Sequence, residues 1–188
     1  MKHIRDYFEK TRKLTDRDWQ IFASRLVKTS FPKKHTLLRC GTVEGHLSFI
    51  EAGIVRFYIP RDGNDLTFAF AFPHHFVSGY DSFLTRAPST YQIETLTPTT
   101  LWRISHSDLI DIYAQTVVGE AIGRQAAEEL FLKKSKRELS LLGETAEQRY
   151  RSLFTDQPHL IRHIPLKYIA SYIGVTPQAL SRIRRRIS

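Results

Sequence analysis

Hydrophobic positions change their spacing twice along this chain. Within residues 1–30 the apolar side chains recur at helical spacing behind Thr15, which can cap a helix. These side chains are Trp19, Phe22, Leu26 and Val27. From about residue 35 to residue 104 the apolar residues instead form short runs rich in β-branched and aromatic types, and from Ser107 helical spacing returns. The pattern therefore predicts helices, then a strand-rich segment, then helices again.

Five strands are predicted in the strand-rich segment, because turn residues bound each run. They are His46–Glu51, Ile54–Ile59, Leu66–Phe72, Tyr91–Leu96 and Thr100–Ile104. The segment Arg61–Asn64 predicts a hairpin turn. Large apolar residues alternate in the third strand, which predicts that one of its faces is buried. These residues are Leu66, Phe68, Phe70 and Phe72. Short strands at this spacing favour a β-barrel or jelly roll.

A long helical stretch is predicted from Ser107 toward Leu142, with one break, and Gly143 ends it. Small residues recur every four positions on one face, so another helix can approach closely there. The predicted dimer seam consists of Val118, Gly119, Ile122, Gly123, Ala126, Ala127 and Leu130. The alternative is that this face packs on the barrel of the same chain. A capping box, Thr145 with Gln148, predicts the next helix.

The C-terminal segment predicts two short helices joined by a tight turn. The first is Leu166–Tyr172, the turn is Ile173–Val175 around Gly174, and Thr176 caps a second helix that begins at Pro177. Five apolar positions can lock the two helices together. They are Ile169, Ile173, Val175, Leu180 and Ile183. This is the pattern of a helix-turn-helix.

The basic charge of the chain is concentrated in the same segment. The chain has 188 residues, 41% of them hydrophobic, and a net charge of +9. Residues 149–188 contain eight Lys and Arg but one acidic residue, so they carry a net +7. A basic helix pair favours double-stranded DNA as the partner. The alternative is a plain helical hairpin with a solvated basic face.

The predicted DNA-contacting residues fall into two groups. Polar residues of the second helix that face away from its apolar stripe can read bases, because Gln pairs with adenine and Arg with guanine. These base-reading residues are Gln178, Ser181 and Arg182. Other residues are placed for phosphates, which fix register but carry no sequence information. The phosphate-contacting residues are Lys167, Thr176, Arg184, Arg185 and Arg186.

Several other classes of function are not expected. The single cysteine, Cys40, excludes an intrachain disulfide and cysteine-rich metal or iron–sulfur sites. No His-x-His pair suited to a metal-binding jelly roll is present, and no catalytic triad or Gly-rich phosphate loop stands out, so no metal, no cofactor and no enzymatic activity are expected. No apolar run is long enough for a membrane span, and a soluble cytoplasmic protein is expected.

The order of these modules resembles the Crp/Fnr superfamily of bacterial transcription regulators. The resemblance covers nearly the whole chain, and its N-terminal part rests on the segments Leu38–Gly41, Ile50–Arg56 and Phe76–Gly79. The C-terminal segments look like the branch common in Bacteroidetes; they are Thr145–Tyr150, Ile164–Tyr172 and Thr176–Arg184. The resemblance implies an α+β fold. The implied parts are a jelly-roll (double-stranded β-helix), cyclic-nucleotide-binding-like sensor domain at 1–115, a dimerisation helix at 116–142 and a helix-turn-helix domain at 143–188.

The same resemblance locates an effector cassette at Phe76–Tyr91. In cAMP-binding members a Glu of this cassette bonds the ribose and an Arg pairs with the cyclic phosphate. Aligned without a gap, these positions hold Gly79 and Ser89, so loss of cAMP binding is expected, with Asp81 and Arg86 as the nearest substitutes. The pocket can hold another small molecule or be filled by its own aromatic residues. The candidate pocket residues are Phe70, Phe76, Gly79, Tyr80, Asp81, Arg86, Ser89 and Thr90.

The sequence thus predicts a homodimeric, sequence-specific DNA-binding transcription regulator. RNA polymerase and an unidentified small-molecule effector are open as further partners, and no membrane partner is expected. The alternative is a small-molecule or cyclic-nucleotide-binding regulatory module whose basic C-terminus is not a specific DNA reader.

Overall fold

The computed structural model describes residues 1–10 and 13–187, except for the side chains of residues 117–122 and 125. Within these residues the chain divides into two compact units. The first unit comprises residues 1–57 and 70–126, and the second comprises residues 58–69 and 127–188. The second unit therefore takes one short segment from the middle of the strand-rich region.

The described residues follow the predicted order of a helical, a strand-rich and a second helical segment. The strands are β1 (Val27–Phe31), β2 (Thr36–Leu38), β3 (His46–Ala52), β4 (Val55–Ile59), β5 (Leu66–Ala71), β6 (Phe76–Val77), β7 (Gln92–Thr95) and β8 (Thr99–Ser105). The helices are α1 (Lys2–Glu9), α2 (Asp16–Ser24), α3 (Tyr80–Thr85), α4 (His106–Gln115), α5 (Val117–Gly143), α6 (Ala146–Asp156), α7 (Pro158–His163), α8 (Leu166–Tyr172) and α9 (Pro177–Ile187).

The strands form two four-stranded sheets with the orders β1-β8-β3-β6 and β2-β7-β4-β5, and we call these eight strands the roll. In the first sheet β8 pairs antiparallel with both β1 and β3, and Ile50 lies opposite Leu101. Side chains of both sheets bury together in one cluster, which includes Ile50, Val55 and Ile93. The predicted α+β fold with a jelly roll is confirmed.

A second cluster joins the N-terminal helices to the roll. Ile4 and Phe8 of α1 and Phe22 of α2 are buried together with Phe49 of β3. The ring of Phe76 stacks on that of Phe8 at 5.5 Å between centroids. The predicted apolar residues Trp19 and Phe22 thus pack into this cluster.

Two predictions about individual strands are wrong. Leu26 and Val27 do not continue the N-terminal helix, because α2 ends at Ser24 and Val27 pairs with Arg103 of β8. On β5 the fully buried residues are Thr67 and Ala71, whereas the alternating phenylalanines are only half-buried. The backbone N–H of the buried Thr67 donates to Ser171 Oγ at 2.8 Å, a contact with a residue 104 positions away.

The long helical stretch has the predicted break. It begins at His106, capped by Ser105 instead of the expected Ser107, and Thr116 separates α4 from α5. Helix α5 ends at Gly143, and the capping box of Thr145 and Gln148 opens α6, both as predicted. No described helix is long and apolar enough to cross a membrane.

Candidate nucleic-acid interface and roll cavity

Helix α9 separates an apolar face from a polar one. Leu180 and Ile183 are buried against the rest of the second unit, whereas Gln178, Ser181 and Arg182 are exposed. Within the part of the chain that the structure describes, these three exposed side chains make no hydrogen bond or ion pair with the protein. The three predicted base-reading residues therefore lie together on one face with their donors and acceptors available.

The turn before α9 is fixed by its own backbone. Gly174 has a φ of +82°, a conformation that a residue with a Cβ adopts only with strain. The N–H of Val175 donates to the Ala170 carbonyl at 2.9 Å, and Thr176 Oγ1 accepts from the N–H of Ala179 at 3.2 Å. The predicted bounds of α8, the predicted start of α9 at Pro177 and the predicted cap are confirmed.

The predicted phosphate-contacting residues surround this face, but they are not equivalent. Lys167 is exposed, with its ammonium 4.7 Å from the centre of the Tyr168 ring. Arg184 and Arg185 are exposed on α9. Arg186 is exposed too and lies 3.6 Å from a carboxylate oxygen of Glu147, a separation at which an exposed ion pair contributes little.

Arg149, which belongs to the basic segment, forms hydrogen bonds with backbone carbonyls of the protein. Arg149 on α6 donates from Nε to the carbonyl of Ile173 at 2.9 Å and from Nη1 to the carbonyl of Glu144. From α5, Arg137 donates to the carbonyl of Tyr172, and its guanidinium lies 3.8 Å from the centre of that ring. Burial lowers the pKa of Arg137. Both arginines thus bind carbonyls at the C-terminal end of α8, a role that local sequence signals did not predict.

Ser171 is a second contact that the sequence analysis missed. Its side chain is buried, donates to the carbonyl of Asp65 at 2.6 Å and accepts from the N–H of Thr67 at 2.8 Å. Asp65 directly precedes β5 and Thr67 lies on it, and β5 is an edge strand of its sheet. One hydroxyl therefore satisfies a donor and an acceptor of that edge, and it joins the segment 58–69 to α8 within the second unit.

The predicted dimer seam is only partly described. The side chains of Val118, Gly119 and Ile122 lie outside the described residues. At Gly123 an added Cβ would meet the hydroxyl of Tyr113 at 2.8 Å, so this position packs against α4 of the same chain and not against the barrel strands. Ala126 and Leu130 are half-buried and Ala127 is exposed.

A different face of α5 carries large exposed apolar side chains. Phe131 is 69% exposed, Leu132 66%, Leu139 67% and Leu142 80%. Leu132 and Leu139 are seven residues apart and Leu142 follows three residues later, which is the spacing of a helix-pairing seam. None of these four residues belongs to the predicted seam, which ends at Leu130.

The interior of the roll holds a small polar cavity of ≈ 10 Å³. Such a space accommodates about one water molecule, whereas pockets for drug-sized ligands measure roughly 300 Å³ or more. Its polar lining comes from Glu44, Ser48, Ser78 and Arg103. None of the eight predicted pocket residues lines this cavity.

The charged residues of the predicted cassette, Asp81 and Arg86, form hydrogen bonds with other groups of the protein. Arg86 has a φ of 59° and donates from Nη1 to the carbonyls of Glu44 at 2.7 Å and Phe83 at 3.2 Å. Asp81 accepts a hydrogen bond from the Tyr91 hydroxyl, and burial, with this bond, raises the pKa of Tyr91. Both side chains thus form hydrogen bonds with groups of the protein.

The other candidate pocket residues either pack within the protein or are partly or fully exposed. Ser89 is buried, and its hydroxyl donates to the carbonyl of Tyr91 at 2.9 Å. At Gly79 an added Cβ would lie 2.4 Å from Leu38 Cδ2, so apolar packing closes this position. Phe70, Phe76 and Tyr80 are half-buried, and Thr90 is exposed.

Comparisons with known proteins agree with this architecture. Residues 28–116 match the family profile of the cyclic nucleotide-binding domain. A search of curated protein sequences found no match. Among solved structures, the c-di-GMP responsive global regulator CLP of Xanthomonas campestris is 17% identical, with 92% of this chain and 91% of that chain covered and a TM-score of 0.70.

Two further solved structures share the fold. A Crp/Fnr-family transcriptional regulator from Eubacterium rectale is 17% identical, with 93% of this chain and 83% of that chain covered and a TM-score of 0.72. FixK2 from Bradyrhizobium japonicum is 18% identical, with 86% and 84% covered and a TM-score of 0.70. Residues 28–116 are therefore similar to cyclic nucleotide-binding domains, and the chain has the fold of solved Crp/Fnr-type transcription regulators.

Proposed function

We propose that this protein is a homodimeric, sequence-specific DNA-binding transcription regulator of the Crp/Fnr type. The observation that carries the proposal is the exposed polar face of α9, where Gln178, Ser181 and Arg182 lie beside a cluster of basic residues while the apolar face of the helix is buried. In this proposal α8 and α9 are a helix-turn-helix, and α9 enters the major groove. Arg182 then reads guanine and Gln178 reads adenine.

Phosphate contacts fix the register of α9 on the duplex. Lys167, Thr176, Arg184 and Arg185 supply them, because they are exposed around the base-reading face. Arg186 joins them by exchanging its surface ion pair with Glu147 for a phosphate. Arg149 is left out of this interface, since its guanidinium binds carbonyls of the protein.

Dimerisation follows from the exposed apolar face of α5. Phe131, Leu132, Leu139 and Leu142 expose a contiguous apolar surface that a second copy of the helix can cover. Two recognition helices related by a twofold axis read half-sites about one helical turn, ~34 Å, apart. The expected operator is therefore an inverted repeat.

The roll of this protein does not bind cAMP in this proposal. Gly79 and Ser89 stand where the resemblance places the ribose-binding Glu and the phosphate-binding Arg. The cavity beside Glu44 and Arg103, at ≈ 10 Å³, is itself too small for a nucleotide, which supports the proposal. This also disfavours the alternative of a pure cyclic-nucleotide-binding module.

Selection of bound sequences from random DNA tests the proposal, followed by binding of Arg182→Ala to the selected operator. We expect Arg182→Ala to weaken operator binding by about 1–3 kcal/mol and to relax preference at one base pair, with little effect on random duplex. Arg162→Ala is the matched control, because Arg162 is equally basic and exposed but lies on α7.

Wild-type binding should also weaken steeply with salt, because neutralised phosphates release counterions. A flat salt response would refute DNA binding. If Arg182→Ala weakened binding to the operator and to random duplex equally, the base-reading role of α9 would be refuted. A shift of the operator binding curve on adding cAMP would refute the loss of cAMP binding.

A further inference from the structure

Glu44 is a carboxylate buried at the edge of the roll, in the loop between β2 and β3. Its side chain and backbone together are only 6% exposed. Oε1 accepts a hydrogen bond from the N–H of His46 at 2.9 Å, and Oε2 accepts one from the N–H of Gly79 at 3.1 Å. A buried carboxylate is costly unless it is bonded, and here both oxygens accept from the backbone.

A positive charge faces the same space. Arg103 of β8 lines the small roll cavity together with Glu44, and its Nε lies 3.4 Å from Ser48 Oγ. Burial lowers the pKa of Arg103, whereas the charge of Glu44 raises it. The carboxylate thus has two N–H donors and one nearby guanidinium, which is the composition of an anion site.

The backbone of Glu44 is fixed to α3 as well. Its N–H donates to Ser82 Oγ at 3.0 Å, and its carbonyl accepts from Arg86 Nη1 at 2.7 Å. Gly79, Ser82 and Arg86 are the N-cap, a buried residue and the C-cap of α3. The single residue Glu44 therefore contacts the beginning, the middle and the end of this short helix.

We propose that Glu44 is an internal ligand whose carboxylate occupies an anion site formed by the N–H groups of His46 and Gly79 and faced by Arg103. The site holds α3 against the roll without an external anion. Removing the carboxylate exposes the two donors, and a free carboxylate of the same size binds in its place. The regulatory consequence, that operator binding needs no anionic effector, rests on the proposed function.

The site itself can be tested on the full-length chain by thermal unfolding of Glu44→Ala. This variant lacks a CH₂–COO⁻ group, which has the size of acetate. We expect the melting temperature to fall by roughly 5–10 °C in chloride, since two buried donors lose their acceptor. Acetate at constant ionic strength should restore at least about half of the loss, and acetamide, which has the same shape without charge, should restore none.

Glu51→Ala is the matched control. It removes another glutamate of the roll, one that forms a surface pair with Lys28, and it should change the melting temperature little and show no response to acetate. An unchanged melting temperature in Glu44→Ala would overturn the proposal. A fall in the melting temperature that acetate and acetamide restore equally would also overturn the proposal.

Glu44→Gln provides a second test if Glu44→Ala does not fold. It keeps the volume of the side chain but has one acceptor oxygen and no charge. We expect amide hydrogen exchange at Gly79 or His46 to accelerate at least about tenfold, because one of the two N–H groups loses its acceptor. Unchanged exchange at both amides would contradict the assignment.

Operator binding separates this inference from the proposed function. Wild-type affinity should be the same with and without acetate or phosphate, whereas Glu44→Ala should bind the operator more tightly in acetate than in acetamide. If the wild type binds no DNA, the proposed function fails, and the melting experiment still decides the anion site. If the wild type binds DNA but acetate does not rescue Glu44→Ala, only the internal-ligand inference fails.

Discussion

The roll and the C-terminal helix pair, α8 with α9, use polar side chains in opposite ways. In the roll the charged groups are bonded to other groups of the protein: Glu44 accepts two backbone N–H groups, and Arg56 lies 2.8 Å from Glu94. On α9, Gln178 and Arg182 are exposed and make no such contacts among the described residues. A surface with available donors and acceptors suits recognition of an outside partner, whereas a closed network suits a fixed structure.

The second unit shows the same contrast on a smaller scale. Arg149 and Arg182 contribute equally to the basic charge of the C-terminal segment, yet Arg149 binds carbonyls and Arg182 does not. Ser171 and Ser181 differ in the same way, since Ser171 is buried in a hydrogen-bonded contact and Ser181 is exposed. Matched substitutions at these pairs can therefore separate structural roles from recognition.

Of the substitutions considered, loss of the ion pair between Arg56 and Glu94 should lower the free energy of unfolding most. Arg56 is 3% exposed and Glu94 15%, so Arg56→Met leaves Glu94 as a buried charge without its counter-ion. We expect the free energy of unfolding to fall by about 3–5 kcal/mol. Urea unfolding followed by tryptophan fluorescence measures it, because Trp19 and Trp102 both belong to the first unit.

The double variant Arg56→Met with Glu94→Leu is the control for this prediction. It replaces both charges by apolar groups and should recover most of the lost stability. If the double variant were as unstable as the single one, lost packing and not the unpaired carboxylate would be the cause.

Arg149→Met should destabilise the second unit less strongly. It removes charged donors from the carbonyls of Ile173 and Glu144, and we expect a loss of about 1.5–3 kcal/mol in urea unfolding followed by circular dichroism. Arg151→Met is the matched control, because Arg151 forms an exposed pair with Glu147, and its loss should cost less than about 1 kcal/mol. Reduced operator affinity with unchanged stability in Arg149→Met would make Arg149 a DNA contact instead.

Ser171→Ala should lower the free energy of unfolding somewhat less than Arg149→Met does. It removes the donor to the Asp65 carbonyl and the acceptor of the Thr67 N–H in a buried place, for an expected loss of about 1–2 kcal/mol. Ser181→Ala, on the exposed face of α9, should leave the free energy of unfolding within about 0.5 kcal/mol of the wild type. Equal stabilities of the two variants would show that Ser171 does not hold the segment 58–69 to α8.

Acidification should produce the smallest effect, and it should act on the roll. Burial lowers the pKa of His46, and the nearby Arg103 lowers it further. The unfolded chain, in which His titrates near about 6.5, therefore binds more protons than the folded chain. The stabilising contribution of His46 is complete above that pKa and is lost as the pH falls toward the lower folded pKa.

Urea unfolding at pH 7.5 and 5.5 checks the effect of acidification. The wild type should lose stability on acidification, and His46→Gln should lose less. The same loss in both proteins would assign the pH dependence to other groups.

Local sequence signals were sufficient for the C-terminal elements. The ends of α8 and α9 follow from Gly174, Thr176 and Pro177, because a positive φ, a cap and a ring without an N–H each act within a few residues. The capping box of α6 was predictable for the same reason. The base-reading face could be proposed from the helical period alone, since the apolar positions fix which residues point outward.

The roll was harder to predict because its contacts are non-local. Strands β1, β2 and β6 and helix α3 were not predicted, because they are short and depend on partners far along the chain. Val27 was assigned to a helix, although its pairing with Arg103 places it in a strand. The phenylalanines of β5 were placed on a buried face, although Thr67 and Ala71 are the buried residues, because β5 is an edge strand that meets Ser171 of α8.

The sequence by itself determined the order of strand-rich and helical segments, the caps and turn of the helix pair, and the concentration of basic charge beside it. Only the tertiary structure decided which polar groups remain available. Arg149 meets a carbonyl 24 residues away, and Ser171 meets one 106 residues away. Glu44 meets the N–H of Gly79 across 35 residues. Hydrogen bonds form between groups that folding brings together, so no local pattern distinguishes a polar side chain that the protein uses internally from one that it presents to a partner.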